Sequence, residues 1–125
     1  MKNTIKILIL TGMGLFLGSC YYDEFPEDVV DVPEVVSYSE DIMPLWEGQC
    51  YNCHQGNIPP DLSPEVSYES LLDGFVEAGD SENSILYLSL IHAPNVSPMP
   101  TPNEIWPVSK TALVKAWIDQ GALDN

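Results

Sequence analysis

Cys50-Tyr51-Asn52-Cys53-His54 is the stretch of this chain on which its reading turns. Two thiols stand three residues apart, and an imidazole follows the second directly. Three chemistries use such a set. The thiols can pair as a disulfide, but a redox pair of the thioredoxin kind sits beside a βαβ unit, and no such pattern surrounds this one. They can hold zinc, but a structural zinc wants four ligands. The sequence offers only His92 as a further histidine and no second cysteine pair. They can also add across the two vinyl groups on one edge of a porphyrin, which carries the neighbouring imidazole under the ring to the iron. C-x-x-C-H is the pattern of that attachment, and it uses all three side chains. It predicts one covalent haem c, with Cys50 and Cys53 as the attachment points and His54 as an iron ligand.

An iron held this way usually takes a sixth ligand, and methionine raises the potential relative to histidine. The candidates are Met43, His92 and Met99. Met99 lies in Ser97-Pro98-Met99-Pro100, within a loop that also carries Pro94, Pro102 and Pro107. Prolines restrict the unfolded loop and so lower the cost of fixing it in one shape. That matters for a weak thioether ligand, and Met99 is the expected one. Met43 precedes the cysteine motif on the first expected helix and reads as core. His92 ends a helix seven residues before Met99 and reads as a surface or capping histidine, near a haem propionate.

Outward from this motif the chain divides into three parts. Residues 1–19 have a basic start at Lys2 and Lys6, an apolar run from Ile7 to Leu17, and the small pair Gly18-Ser19. That is the layout of a secretory signal peptide, and the run is short of the ~20 residues a membrane span needs. Leu17-Gly18-Ser19-Cys20 resembles the bacterial lipobox. The resemblance implies cleavage before Cys20 and lipidation of its sulfur, and several acyl chains give a stable anchor where one is marginal. Tyr21-Tyr22-Asp23-Glu24 resembles the acidic tag that sends some bacterial lipoproteins to the cell surface. Residues 20–37 then form an acidic, proline-bearing tether, extended and flexible, with a span of at least ~20 Å. Val29, Val30, Val35 and Val36 leave a short edge strand as its alternative.

Residues 38–125 read as a single helical domain. Ser39-Glu40-Asp41 offers a capping hydroxyl and two acids for a first helix carrying Ile42, Leu45 and Trp46. Pro44 is tolerable only near that start. A second helix is expected over 66–73. A third runs from Ile85 to Ile91 behind the cap Asp80-Ser81-Glu82-Asn83-Ser84. Ser109 should cap a fourth with Leu113, Val114, Trp117 and Ile118 on its apolar face, stopped by Gly121. No segment alternates as a strand would, so the predicted fold is all-α. The aliphatic content looks thin for a self-sufficient core of this size, and a buried cofactor would fill it.

Charge narrows the partners. Nineteen Asp and Glu face four Lys and no Arg, a formal net of −15. Loss of residues 1–19 would remove Lys2 and Lys6 and leave Lys110 and Lys115 alone against all the acids. Such a surface repels phosphates, which excludes nucleic acid. It also repels anionic membrane surfaces, so membrane attachment needs the covalent anchor at Cys20. Basic partners are steered toward it.

The order of features is similar to that of the small class I cytochrome c domains, nearest to the planctomycete-type group found on many bacterial lipoproteins. The likeness runs from about Asp41 to Ala122. It is carried by the Cys50–His54 motif, Tyr68-Glu69-Ser70-Leu71, Gly79 through Tyr87, Met99-Pro100, and Trp117-Ile118-Asp119-Gln120-Gly121-Ala122. It implies a first helix crossing the last over the haem edge, His54 and Met99 as axial ligands, and a loop proline carbonyl, Pro59 or Pro60, holding the His54 ring. The missing basic surface departs from family members that dock acidic partners through lysines. The function implied is that of a single-electron carrier, not an enzyme. It would be exported and lipid-anchored to the bacterial envelope, facing the periplasm or the cell surface. Its partners would be redox donor and acceptor proteins or a larger membrane redox complex. Two alternatives remain: a haem-based sensor or peroxidase-like subunit with a displaceable sixth ligand, and a haem-free interaction lipoprotein with a Cys50–Cys53 disulfide.

Overall fold

The computed structural model describes residues 30–100 and 104–125. The expected signal peptide, Cys20 and most of the tether lie outside the described residues. Among those described there is no strand, and the fold is all-α. No described helix is long and apolar enough to cross a membrane.

The chain enters without regular structure, yet Val36 is buried and Val32 packs against the core. A π-helical turn, Tyr38–Ile42, runs straight into helix α1, Met43–Trp46. Its cap is Ser37, not the expected Ser39. The Ser37 hydroxyl accepts from the Glu40 N–H at 3.2 Å, and the Ser37 N–H donates to Asp41 Oδ2 at 2.8 Å. Ser39 is spent elsewhere, its hydroxyl donating to the Asn125 backbone oxygen at 2.8 Å. The wide π turn has a local reason. Pro44 has no N–H to give Glu40, and in an α-helix its ring would press on that carbonyl. A π turn bonds five residues apart instead, with Met43 N–H on the Tyr38 carbonyl.

Helix α2 spans Ser67–Leu72, within the expected stretch. A 3₁₀ turn, Ser81–Asn83, is capped by the Asp80 carboxylate and leads through the buried Ser84 into α3, Ile85–Leu90. Helix α4 spans Val108–Asp119 and packs on the π turn, the 3₁₀ turn and α3. Its N-cap is Pro107 with no side-chain cap bond, and the expected cap Ser109 lies inside its first turn. A cap residue needs extended backbone just before the helix, and Pro107 supplies it with ψ of 136°. The C-terminal end is as expected. Gly121 N–H bonds the Ile118 carbonyl and Ala122 N–H the Trp117 carbonyl, both at 2.9 Å. Gly121 sits at φ +103°, left-handed backbone that a Cβ disfavours.

Aromatic side chains make up much of the core whose aliphatic content looked thin. Tyr38, Trp46, Trp106 and Trp117 are all buried beside Ile42, Leu71, Leu90, Val114 and Ile118. Tyr38, Tyr68 and Trp117 meet at ring-centre distances of 5.1, 5.2 and 6.4 Å, and Trp46 stacks on Trp106 at 5.9 Å. Aromatic rings bury large apolar areas and gain further from such geometry, so they replace aliphatic volume. Their polar handles are mostly satisfied: Tyr38 donates to Ser67 Oγ at 2.7 Å and Trp117 to the Leu123 carbonyl at 2.9 Å.

Candidate functional site

The cysteine motif hangs directly from the end of α1. Tyr51 N–H reaches back to the Trp46 carbonyl, and Gly48, at φ +86°, lets the chain turn between them. The Cys50 carbonyl then accepts from both Cys53 N–H, at 3.1 Å, and His54 N–H, at 3.0 Å. The expected set of Cys50, Cys53 and His54 is thus gathered on one turn, as residues three and four apart on a helical turn share a face. The two thiols are separate, Cys50 half-buried against the core and Cys53 exposed. Burial pushes the Cys50 thiol up from its ordinary value, and the Lys110 charge opposes this. No three His, Cys, Asp or Glu side chains among the described residues converge on a point that would hold a metal ion.

The His54 ring is held from one side. Its Nδ1 lies 3.0 Å from the Pro60 carbonyl and 3.1 Å from the Ile58 carbonyl. A carbonyl only accepts, so Nδ1 is the protonated nitrogen. In the neutral ring that tautomer places the lone pair on Nε2. The loop supplying these carbonyls is itself pinned. Leu62 N–H donates to the His54 carbonyl at 2.8 Å, and Asp61 N–H to Ser70 Oγ of α2 at 2.7 Å. Asp61 closes the loop by accepting from the Ser63 hydroxyl and N–H. Those bonds hold its carboxyl below the usual carboxylate range.

Met99 lies on the proline-rich loop, 37 % exposed as a residue, and its N–H donates to the Ser89 carbonyl at 3.0 Å. It is not among the described side chains packed on the core. The far end of its loop returns to the cysteine motif. There Gln49 donates to Glu104, and Trp106 stacks on Trp46 with Lys110 Nζ 5.3 Å from the Trp106 ring. The loop bearing Met99 is therefore tied at one end to α3 and at the other beside Cys50. Met43 lines a cleft of about 410 Å³ with Pro44, Trp46, Glu47, Tyr51 and Leu62. This cleft borders the motif through Tyr51, but Cys50, Cys53, His54 and Met99 do not line it.

His92 is the residue whose setting the sequence did not disclose. It occupies the turning position after α3, at φ +54°. Its N–H is 3.2 Å from the Ser89 carbonyl, and Ala93 N–H is 2.9 Å from the Leu88 carbonyl. Its ring is half-buried, and Nε2 is buried without a hydrogen-bond partner. A buried nitrogen left so costs about 1–3 kcal/mol. The residue closes α3 through its backbone, as expected of a capping histidine, while its Nε2 is withdrawn from solvent. The one hint in the sequence is a histidine at a helix end where glycine or asparagine is usual.

No family model matches the chain, and no curated protein matches it. Among solved structures, the chain is similar to Kuenenia stuttgartiensis hydrazine synthase, with a TM-score of 0.54 and 24 % identity over 70 % of this chain. It spans only 16 % of that much longer chain, so the likeness is one of fold, between this small helical domain and part of a larger protein.

Proposed function

We propose that this domain carries one covalent haem c and moves single electrons, anchored to a bacterial membrane through Cys20. The observation that supports this reading best is the His54 ring, with Nδ1–H given to the Pro60 and Ile58 carbonyls and Nε2 left with its lone pair. A ligating imidazole is oriented in this way, its other nitrogen donating to a carbonyl. Cys50 and Cys53 share the turn with His54 yet do not converge with it on a point. That suits a flat ring held at its edge and ligated at its centre better than it suits a bare ion.

In this reading Cys50 and Cys53 would hold the haem by thioethers, and His54 and Met99 would be the side chains that ligate its iron. When bound, the haem supplies a reversible one-electron couple. The chain's own part is to orient and to exclude. The carbonyl clamp fixes His54 in one tautomer through both oxidation states. Half-burial against the core shields Cys50 in part from solvent. The loop of Met99, tied at Ser89 and Glu104, would hold that side chain for the iron. With His54 and Met99 both ligating, no substrate would reach the iron, and the protein would act as a carrier between a donor and an acceptor. A chain with nineteen Asp and Glu against four Lys favours partners with basic faces.

The test is expression of the full chain in a host that matures c-type cytochromes, followed by a denaturing haem-stained gel and oxidised and reduced spectra. Haem that survives denaturation, with a methionine-to-ferric-iron charge-transfer band, is the expected result. Absence of covalent haem under proven maturation conditions overturns the reading.

A further inference from the structure

Resting on the haem reading above, we propose that Lys110 sets the working potential of the carrier, as the cation that acts on the edge held at Cys50. The first observation is where this lysine stands. It lies in the first turn of α4, Val108–Asp119. The start of a helix favours acids and disfavours cations. Lys115, toward the other end of the same helix, pairs with Asp119. Lys110 pairs with no carboxylate among the described residues, in a chain of net charge −15. Helix stability therefore gives no reason for a cation at this position.

The second observation is what Lys110 stands over. Its Nζ lies 5.3 Å from the centre of the Trp106 ring, and Trp106 stacks on Trp46 at 5.9 Å. Both indoles are buried. Trp46 ends α1, its carbonyl holds the Tyr51 N–H, and Cys50 packs on the core to which both indoles belong. The ammonium is thus seated on the rings that back the cysteine motif. A charge acts more strongly through buried apolar groups than through water. The third observation is that its field reaches the motif. Burial raises the Cys50 thiol, and the Lys110 charge is the main influence opposing this.

The electrostatics follow directly. An electron arriving from the donor takes the iron from ferric to ferrous, adds one negative charge beside Cys50, and leaves to the acceptor. A nearby cation stabilises the reduced state and raises the potential, and acids lower it. Glu104, bonded to Gln49 next to Cys50, pulls downward, and Lys110 is its local counterweight. Acids elsewhere on the chain are screened by salt beyond about 10 Å. Lys110 is itself exposed, so water weakens its effect and the shift is modest. The lysine binds no iron and takes up no electron. It biases the equilibrium between the two oxidation states.

The test is the midpoint potential of the full chain matured with haem, titrated at low and at high ionic strength. The set is wild type, Lys110→Met, Lys110→Glu, Lys110→Arg and Lys115→Met. Methionine keeps an apolar stem over Trp106 and removes the charge, and arginine keeps both. Covalent haem on the gel and the methionine-to-iron band in wild type establish the underlying reading separately. The same band in each variant shows that the ligands are unchanged. The potential should fall in Lys110→Met, fall further in Lys110→Glu, and stay at the wild-type level in Lys110→Arg. Added salt should shrink these differences. Lys115→Met alters the net charge by the same amount and should shift the potential less. Equal shifts in Lys110→Met and Lys115→Met would overturn the proposal, because net charge alone would then account for them. A wild-type potential in both Lys110→Met and Lys110→Glu would also overturn it. If Lys110→Met loses the methionine band, Lys110→Gln gives the same decision. A wild type without covalent haem overturns the proposal together with the reading it rests on.

Discussion

Helices α3 and α4 end in the same hydrogen-bonded motif, with different residues at the turning point. At the end of α4, Gly121 stands at φ +103°, and the two closing bonds are both 2.9 Å. At the end of α3, His92 stands at φ +54°, with closing bonds of 3.2 and 2.9 Å. The first end is a structural stop. Its following residue, Ala122, is buried with Trp117 in the core. The second end holds a side chain that its backbone position does not need, with a ring nitrogen that its surroundings do not satisfy. The same local geometry thus closes one helix on a residue suited to its backbone and the other on a residue that is not.

The comparison can be broken most severely at the packed end. Trp117→Ala removes a fully buried indole and its bond to Leu123. A loss of about 3–5 kcal/mol is expected in denaturant unfolding. Gly121→Ala comes next. A Cβ there would meet nothing within 4 Å, so the cost is one of backbone alone. Forcing a left-handed position on an L-residue costs about 1–2 kcal/mol, and a comparable fall in stability is expected. At the other end, His92→Gly should leave stability within about 1 kcal/mol of wild type. Relief of the backbone, about 1–2 kcal/mol, offsets the burial lost with the ring, of similar size. A fall as large as that of Trp117→Ala would make His92 a packing residue and erase the contrast.

The smallest effect concerns Asp119, an acid in the last turn of α4, where the helix dipole disfavours negative charge. Burial pushes its carboxyl up, but hydrogen bonds from Lys115 and the Ser81 N–H outweigh this and hold it below its ordinary value. A lowered carboxyl stabilises the fold above its unfolded pKa, near 3.9. That contribution is lost as pH falls through the lower folded value. Asp119→Asn should cost no more than about 1 kcal/mol at neutral pH, as an exposed pair does. It should also flatten the acid limb of a stability–pH curve below about pH 4.

Much of this was legible in the residues. Ile42, Trp46, Val114, Trp117 and Ile118 recur at helical spacing, and each is buried. Gly121 marked the end of α4 because few other residues tolerate its backbone. Cys50, Cys53 and His54 lie so close in sequence that any helical turn collects them. Caps were less legible, since a hydroxyl's choice depends on competitors far along the chain. Ser39 was drawn away by Asn125, 86 residues on, and the cap fell to Ser37. Which proline carbonyl meets His54 depended on the path of the 56–63 loop, and Ile58 shares the task with Pro60. The unpartnered nitrogen of His92 was not legible at all, because satisfaction of a polar atom is a property of its neighbours in space.

One detail at the edge of the fold reaches further. Asn125 accepts at its backbone oxygen from the Ser37 hydroxyl and the Ser39 N–H and hydroxyl, and at its side-chain oxygen from the Tyr38 N–H. Residues 37–39 and Asn125 are therefore stitched to each other, and the described domain nearly closes on itself. A unit whose entrance and exit adjoin can be spliced into a surface loop of a larger protein without prising its host apart. By the same geometry, a short peptide joining Asn125 to Val36 should allow the chain to be reopened at an exposed loop elsewhere and still assemble the turn that carries Cys50, Cys53 and His54.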